Sequence, residues 1–293
     1  LADGLAAALE VAQENADAPL GQVLTVCSAT GGCGKTFYAT NLAVALARIT
    51  GRKVALLDLD LQFGEVMTAL RLRPQHTMSD VAAIEDEGEL STYLTEMLTA
   101  HESGVWVLPA PLDPAEADRV GPEEIVRVIG AMQQQFDYVI VDNPTGLGEG
   151  TLAALDRSTH LFILAALDLS SVRNLRLFLQ TLERVRIPQD DLSLILNKDQ
   201  SGVGIEAADI ERLFPRGFRS KIPYSRQVPR SMNSGVPLFA SEPDSVVASG
   251  IVDGIVDLLP TESQKTAREL TTAEHVPWYR RMFRPKVAAP ADA

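Results

Sequence analysis

Cysteine is almost missing from this sequence: Cys27 and Cys33 are the two in 293 residues. They lie too close together for a disulfide framework and suit a reducing, cytoplasmic setting. Histidine is equally sparse. His76, His101, His160 and His275 are scattered, without the spacing a metal site needs. Positive charge is short as well, with 26 Lys and Arg against 39 Asp and Glu, a net charge of −13. A broad nucleic-acid-binding face needs clustered Lys and Arg, so nucleic acid is not an expected partner. No apolar run reaches the length of a membrane-spanning helix.

What is present is an alternation. Short apolar runs at 22–28, 53–58, 105–108, 138–142, 160–166, 192–197 and 218–222 read as strands. Helical patterns near 35–50, 88–101, 122–135, 147–156, 170–186, 204–214 and 243–259 separate them. Near-continuous apolar strands between helices predict an α/β fold, a mostly parallel sheet with helices on both faces. This domain is expected over 21–260. Residues 1–20 start as an Ala-rich helix with Leu1, Leu5 and Leu9 at helical spacing, then turn polar. They are expected to be a linker helix. From 261 to 293 the pattern is lost, and a tail is expected.

The segment VLTVCSATGGCGKTFYAT, residues 23–40, carries the chemistry. An apolar strand leads into Thr30-Gly31-Gly32-Cys33-Gly34-Lys35-Thr36 and then into a helix. Glycines let the backbone wrap close to a polyphosphate, and the helix start offers N–H groups and the positive end of its dipole. Lys35 supplies a point charge for the β- and γ-phosphates, and the Thr36 hydroxyl is placed to ligate Mg²⁺. Ala29 stands where the strict GxxxxGK[ST] pattern has Gly, so the signal rests on GGxGKT between strand and helix. Residues 30–36, with Phe37 next in the helix, are the expected nucleotide-binding residues. The fold is thus expected to be a three-layer P-loop NTPase fold, with ATP or ADP and Mg²⁺ as ligands.

Two further strands end in carboxylates, Asp58-Leu59-Asp60 and Asp142-Asn143-Pro144-Thr145-Gly146. In open parallel sheets, ligands sit beyond the carboxyl ends of the strands. Asp142, after YVIV, is the natural magnesium-side residue, with Asp58 and Thr36 as further expected ligands. Asp60 is placed to orient the water that attacks the γ-phosphate. Lys35, Asp60 and Asp142 form the expected catalytic set. Any one such Asp taken alone is as readily a cap or turn former.

Six blocks in order, TGGCGKTFYATNLAVALA, VALLDLDLQFGEV, FDYVIVDNPTG, LDLSSVRNL, LILNK and IPYSRQVPRSMNSGVPL, make the chain resemble the MinD/ParA family of deviant-Walker ATPases over about residues 22–258. The CpaE/TadZ-like branch, associated with pilus assembly and polar or septal positioning, is the nearest in pattern. The resemblance implies that Asp60 belongs to switch I and that Asp142 opens switch II. It also implies that Asn197 contacts adenine, with Pro223 in the Ile222–Pro229 loop closing over the base. Asp168–Arg173 would lie near a nucleotide-dependent homodimer face. Partners implied are pilus, secretion or division proteins, and residues 1–12 would close an upstream receiver-like domain.

One position departs from the family. Its signature lysine, which reaches across the dimer to the partner's phosphates, is here Thr30. Cations of that kind are worth roughly 10³–10⁵ in rate. Slow turnover and weakened ATP-driven dimerisation are therefore expected, with a non-catalytic, nucleotide-holding scaffold as the rival reading. In the tail, Trp278–Lys286 carries four positive charges and pairs Trp278/Met282 and Tyr279/Phe283 at i, i+4. A helical turn there would form a weak membrane-surface anchor, whereas an unstructured or folded-back tail fits the same residues. Recruitment to the inner membrane face, a pole or the septum is the localisation this implies.

Overall fold

The computed structural model describes residues 19–199, 210 and 212–271. Eight strands form one sheet: β1 (Gln22–Ser28), β2 (Val54–Asp58), β3 (Thr99–Ala100), β4 (Val105–Leu108), β5 (Tyr138–Asp142), β6 (His160–Ala166), β7 (Leu192–Asp199) and β8 (Ser220–Pro223). Their order is β3-β4-β2-β5-β1-β6-β7-β8, and every pairing is parallel except β3 on β4. The glycine-loop strand β1 is therefore central, flanked by β5 and β6.

Side-chain alternation along these strands assigns the two faces. Leu24, Val26, Leu56, Ile140 and Phe162 point to one side, into a core closed by α1 (Lys35–Thr50), α10 (Val246–Ile255) and α11 (Thr261–Thr271). Val23, Leu57, Val139 and Val141 point to the other, under α4 (Glu87–Met97) and α5 (Pro122–Gln135). Leu161, Ile163 and Leu194 on that same side meet α7 (Leu169–Arg184). Short helices α2 (Val66–Ala69), α3 (Met78–Ala82), α6 (Glu149–Asp156), α8 (Gln227–Ser234) and α9 (Leu238–Ser241) fill the connections. The expected three-layer α/β architecture is what forms.

Local chemistry sets the ends of the helices. Pro122 opens α5, and the Gly121 N–H donates to Glu124 Oε2 at 2.9 Å. Asp168 caps α7 by accepting the Ser171 N–H at 2.8 Å. α1 instead starts from Gly34 in the left-handed conformation, with no side-chain cap, so its first N–H groups stay available.

Two expectations need revision. The helix near 88–101 stops at Met97, because Thr99–Ala100 pairs with β4 as the antiparallel edge. The expected patternless tail begins with α11, whose Ala267 is fully buried against the α1–α10 face. The domain therefore extends past 260. Among the described residues, no helix is long and apolar enough to cross a membrane. The linker segment up to residue 18, most of the helix expected at 204–214, and Trp278–Lys286 lie outside the described residues.

Candidate nucleotide-binding site

The loop between β1 and α1 is held in shape by its neighbours. Ser28 Oγ donates to the Thr30 carbonyl at 2.8 Å. Gly32 and Gly34 have φ of +72° and +87°, where a side chain would be strained. At Gly34 space is also short, since a Cβ would stand 2.4 Å from Asn197 Nδ2. Asn197, at the end of β7, uses that nitrogen to donate to the Cys33 carbonyl at 2.8 Å. Its carbonyl oxygen accepts the Lys198 N–H at 2.8 Å, and Lys198 Nζ donates to the Gly32 carbonyl at 2.6 Å.

Beyond the loop lies a cavity of about 570 Å³, within the range of small-molecule sites. Gly31, Gly32, Gly34, Lys35, Thr36, Phe37, Asp60, Asn197 and Pro223 line it. Lys35 Nζ donates to Thr145 Oγ1 at 3.0 Å, linking the loop to the turn after β5. At the other end, Tyr224, Val228 and Met232 supply an apolar wall. The floor therefore carries cationic and N–H groups at one end and apolar surface at the other, which suits a molecule with a polyphosphate and a flat ring.

Asp142 lies at the C-terminal end of β5, buried, with Oδ1 lacking any partner. Burial pushes its carboxyl up to about 7, while the Thr36 hydroxyl and the Lys35 charge pull it partly back. An orphaned buried carboxylate oxygen beside a threonine hydroxyl is a hard-oxygen donor pair, and it fits Mg²⁺. Such an ion is commonly held by one or two protein oxygens plus phosphates and waters. Among the described residues, no group of three His, Cys, Asp or Glu could enclose a metal by itself.

Three expected residues stand elsewhere. Asp58 is buried behind the cavity, its oxygens accepting the Asp60 N–H at 3.1 Å and the Val66 N–H at 3.2 Å. Burial and the Asp142 charge both raise its pKa. Asp58 therefore shapes the 59–66 loop that presents Asp60, and Gly64 packs so close that a Cβ would meet its carboxyl at 2.5 Å. The Cys33 side chain is buried toward α7, Sγ 3.5 Å from Ser171 Oγ, so only its backbone can meet a ligand. The Thr30 hydroxyl accepts from Asn174 Nδ2 at 3.3 Å and does not line the cavity.

The sequence reading did not assign roles to Phe63, Glu65, Thr145, Lys198 or Met232, all of which line the cavity. Thr145 and Lys198 carried a usable signal, being in or next to motifs already singled out. Phe63 and Tyr224 are 74% and 53% exposed at the cavity mouth, a signal that only the fold supplies.

Comparison with known proteins agrees with this fold. An ATP-binding protein of Methanocaldococcus jannaschii is 28% identical over 235 residues, 78% of this chain and 84% of its own length. The septum site-determining protein MinD of Thermotoga maritima is 26% identical over 228 residues, 75% of this chain and 81% of its own. The structure of MinD with Mg-ADP from Pyrococcus horikoshii superposes with a TM-score of 0.70 at 19% identity, covering 82% of this chain and 96% of that one. Residues 24–238 match the CobQ/CobB/MinD/ParA nucleotide binding domain, and with the loop glycines and Lys35 gathered about one cavity, the chain belongs to that family.

Proposed function

We propose that this chain is an ATP-binding, slowly hydrolysing switch that works as a nucleotide-dependent homodimer. Its task is to position pilus or secretion machinery, or the division site, as in the CpaE/TadZ-like branch. The observation that carries the reading is the single cavity at which Lys35, Thr36 and Asp60 converge above the orphaned Asp142 oxygen. Relatives named for septum-site determination, and the antiactivator FleN of Pseudomonas aeruginosa, 28% identical over 166 residues, support a positioning or regulatory role. The exposed Phe63 and Tyr224 rings at the mouth favour a covering partner subunit.

On this reading Lys35 leaves the Thr145 hydroxyl and meets the β- and γ-phosphate oxygens. Thr36 and Asp142 hold Mg²⁺, with Asp58 supporting from behind. The ion supplies neutralising charge on the phosphate oxygens. Asp60, at the mouth, holds the water in line with the γ-phosphate, and Pro223 and Tyr224 wall the base. Nothing at position 30 places a cation there, since the threonine hydroxyl is engaged with Asn174. That last observation favours the rival reading, a scaffold that keeps its nucleotide and recruits partners. The basic-aromatic segment Trp278–Lys286 would add weak contact with the inner membrane face, doubled by dimerisation.

Mg²⁺-dependent ATP consumption by the parent and by Asp60→Ala tests the proposal. A fall of at least tenfold in the variant, with ATP binding retained, supports the switch. Binding without measurable turnover in the parent supports the scaffold, and no ATP binding by the parent refutes both.

A further inference from the structure

The pair Asn197-Lys198 holds the glycine loop by two side-chain hydrogen bonds. Asn197 Nδ2 holds the Cys33 carbonyl, and Lys198 Nζ holds the Gly32 carbonyl, at 2.8 and 2.6 Å. Two successive peptide planes of the loop are thus gripped from β7. In a trans peptide the carbonyl of one residue and the N–H of the next point in opposite directions. Drawing the Gly32 and Cys33 carbonyls toward β7 therefore aims the Cys33 and Gly34 N–H groups away from it, at the start of α1 where Lys35 and Thr36 follow.

The grip itself is held under backbone strain. Lys198 has φ of +56°, a region that non-glycine residues seldom occupy. The β7–β8 register breaks between Leu196 and Asp199, at this point. The Asn197 side-chain oxygen accepts the Lys198 N–H and stabilises the kink, so one amide fixes both the strained residue and the loop. Strain of this sort persists where the surroundings over-determine it, and here what it supports is the aim of an anion cradle. Asn174 and Ser171 of α7 touch the same loop only through the Thr30 and Cys33 side chains, and so leave these two peptide planes free.

We propose that Asn197 and Lys198 are positioning residues for the polyphosphate: they pre-set the N–H groups of the loop by holding its carbonyls, and Lys198 adds a fixed positive charge at the loop rim. This rests on the nucleotide-binding reading above and deepens it. The ligand class addressed is the phosphate chain, not the base. Lys198 thereby supplies within the subunit part of the positive charge that Thr30 does not.

The test is calorimetric titration of the whole chain with ATP and, separately, with inorganic tripolyphosphate, for the parent, Lys198→Met, Lys198→Arg and Asn197→Ala. Asn197→Ala alters no charge, and tripolyphosphate has no base, so its effect on that ligand reads the geometry of the loop. The expected result is a loss of about tenfold for both ligands in Lys198→Met and Asn197→Ala, with Lys198→Arg within about threefold of the parent. Unfolding midpoints within about 3 °C of the parent keep the comparison among folded proteins. Unchanged tripolyphosphate affinity in Lys198→Met and Asn197→Ala overturns the proposal. A loss confined to ATP does so too, because it assigns these residues to the base. A parent that binds tripolyphosphate but not ATP refutes the nucleotide reading and leaves the cradle standing.

Discussion

Restoring a cation at position 30 is the perturbation with the largest expected effect on this molecule. In Thr30→Lys, the hydroxyl that accepts from Asn174 at 3.3 Å is lost. A partly buried hydrogen bond of that length is worth about 0.5–1.5 kcal/mol, which lowers the unfolding midpoint of a domain this size by about 1–6 °C. Against this, a cation delivered across a dimer to the phosphates is worth roughly 10³–10⁵ in rate, or about 4–7 kcal/mol of barrier. The loop carries the new side chain outward, since Gly31 and Gly32 beside it are exposed. The variant should therefore melt slightly earlier and hydrolyse ATP at least a hundredfold faster. The assay is steady-state phosphate release with Mg²⁺ across a range of protein concentrations. A gain that steepens with concentration is the expected signature of a charge acting between subunits. A rate within twofold of the parent refutes the argument, and a gain independent of concentration places the lysine in its own subunit's site instead.

Further outcomes follow from particular contacts. Gly34→Ala forces a Cβ into Asn197 Nδ2 at a φ of +87° and should reduce ATP affinity at least tenfold; unchanged binding by calorimetry would show that the loop relaxes freely. Burial lowers the pKa of His160, with the Arg219 charge acting the same way and Asp191 opposing; its Nε2 is 2.9 Å from Ser193 Oγ. The folded state thus binds this proton less readily than the unfolded one, so stability is lost as pH falls from 6.5 toward the lowered value, a loss that urea melts should find absent in His160→Gln. Ala267→Asp puts a charge at the fully buried contact of α11 and should cost about 3 kcal/mol; a surface-like effect below about 0.5 kcal/mol would detach α11 from the domain.

The strands were legible because the central ones are buried on both faces and read as unbroken apolar runs, as in VALLD, YVIVD and HLFILAA. β3 was not, since two residues at an edge leave no periodicity to read. α11 was missed for a related reason: TESQKTARELT buries little beyond Ser263 and Ala267, so its polar face dominates the pattern. That the loop glycines, Lys35, Thr36 and Asp60 would come together was legible from local chemistry, and they line one cavity. The roles of Asp58 and Cys33 were not, because a sequence does not reveal whether a carboxylate at a strand end faces a ligand or its own following loop. Nor could it show that Lys198 reaches Gly32, 166 positions away in the chain, a contact made only when β7 pairs with β6 and so comes to lie one strand away from β1.

The central place of β1 has a mechanical consequence. Asp60 and Thr145 reach the cavity from the β2–β5 flank, whereas Asn197 and Tyr224 reach it from the β7–β8 flank. A ligand long enough to touch both ends ties together two half-sheets that otherwise meet across one strand. On the proposed function, a ligand shorter by its terminal phosphate would reach the second flank and not the first. The proposed switch would in this way measure the length of what it carries, with the presence of a single phosphate read as the stiffness of one side of the sheet.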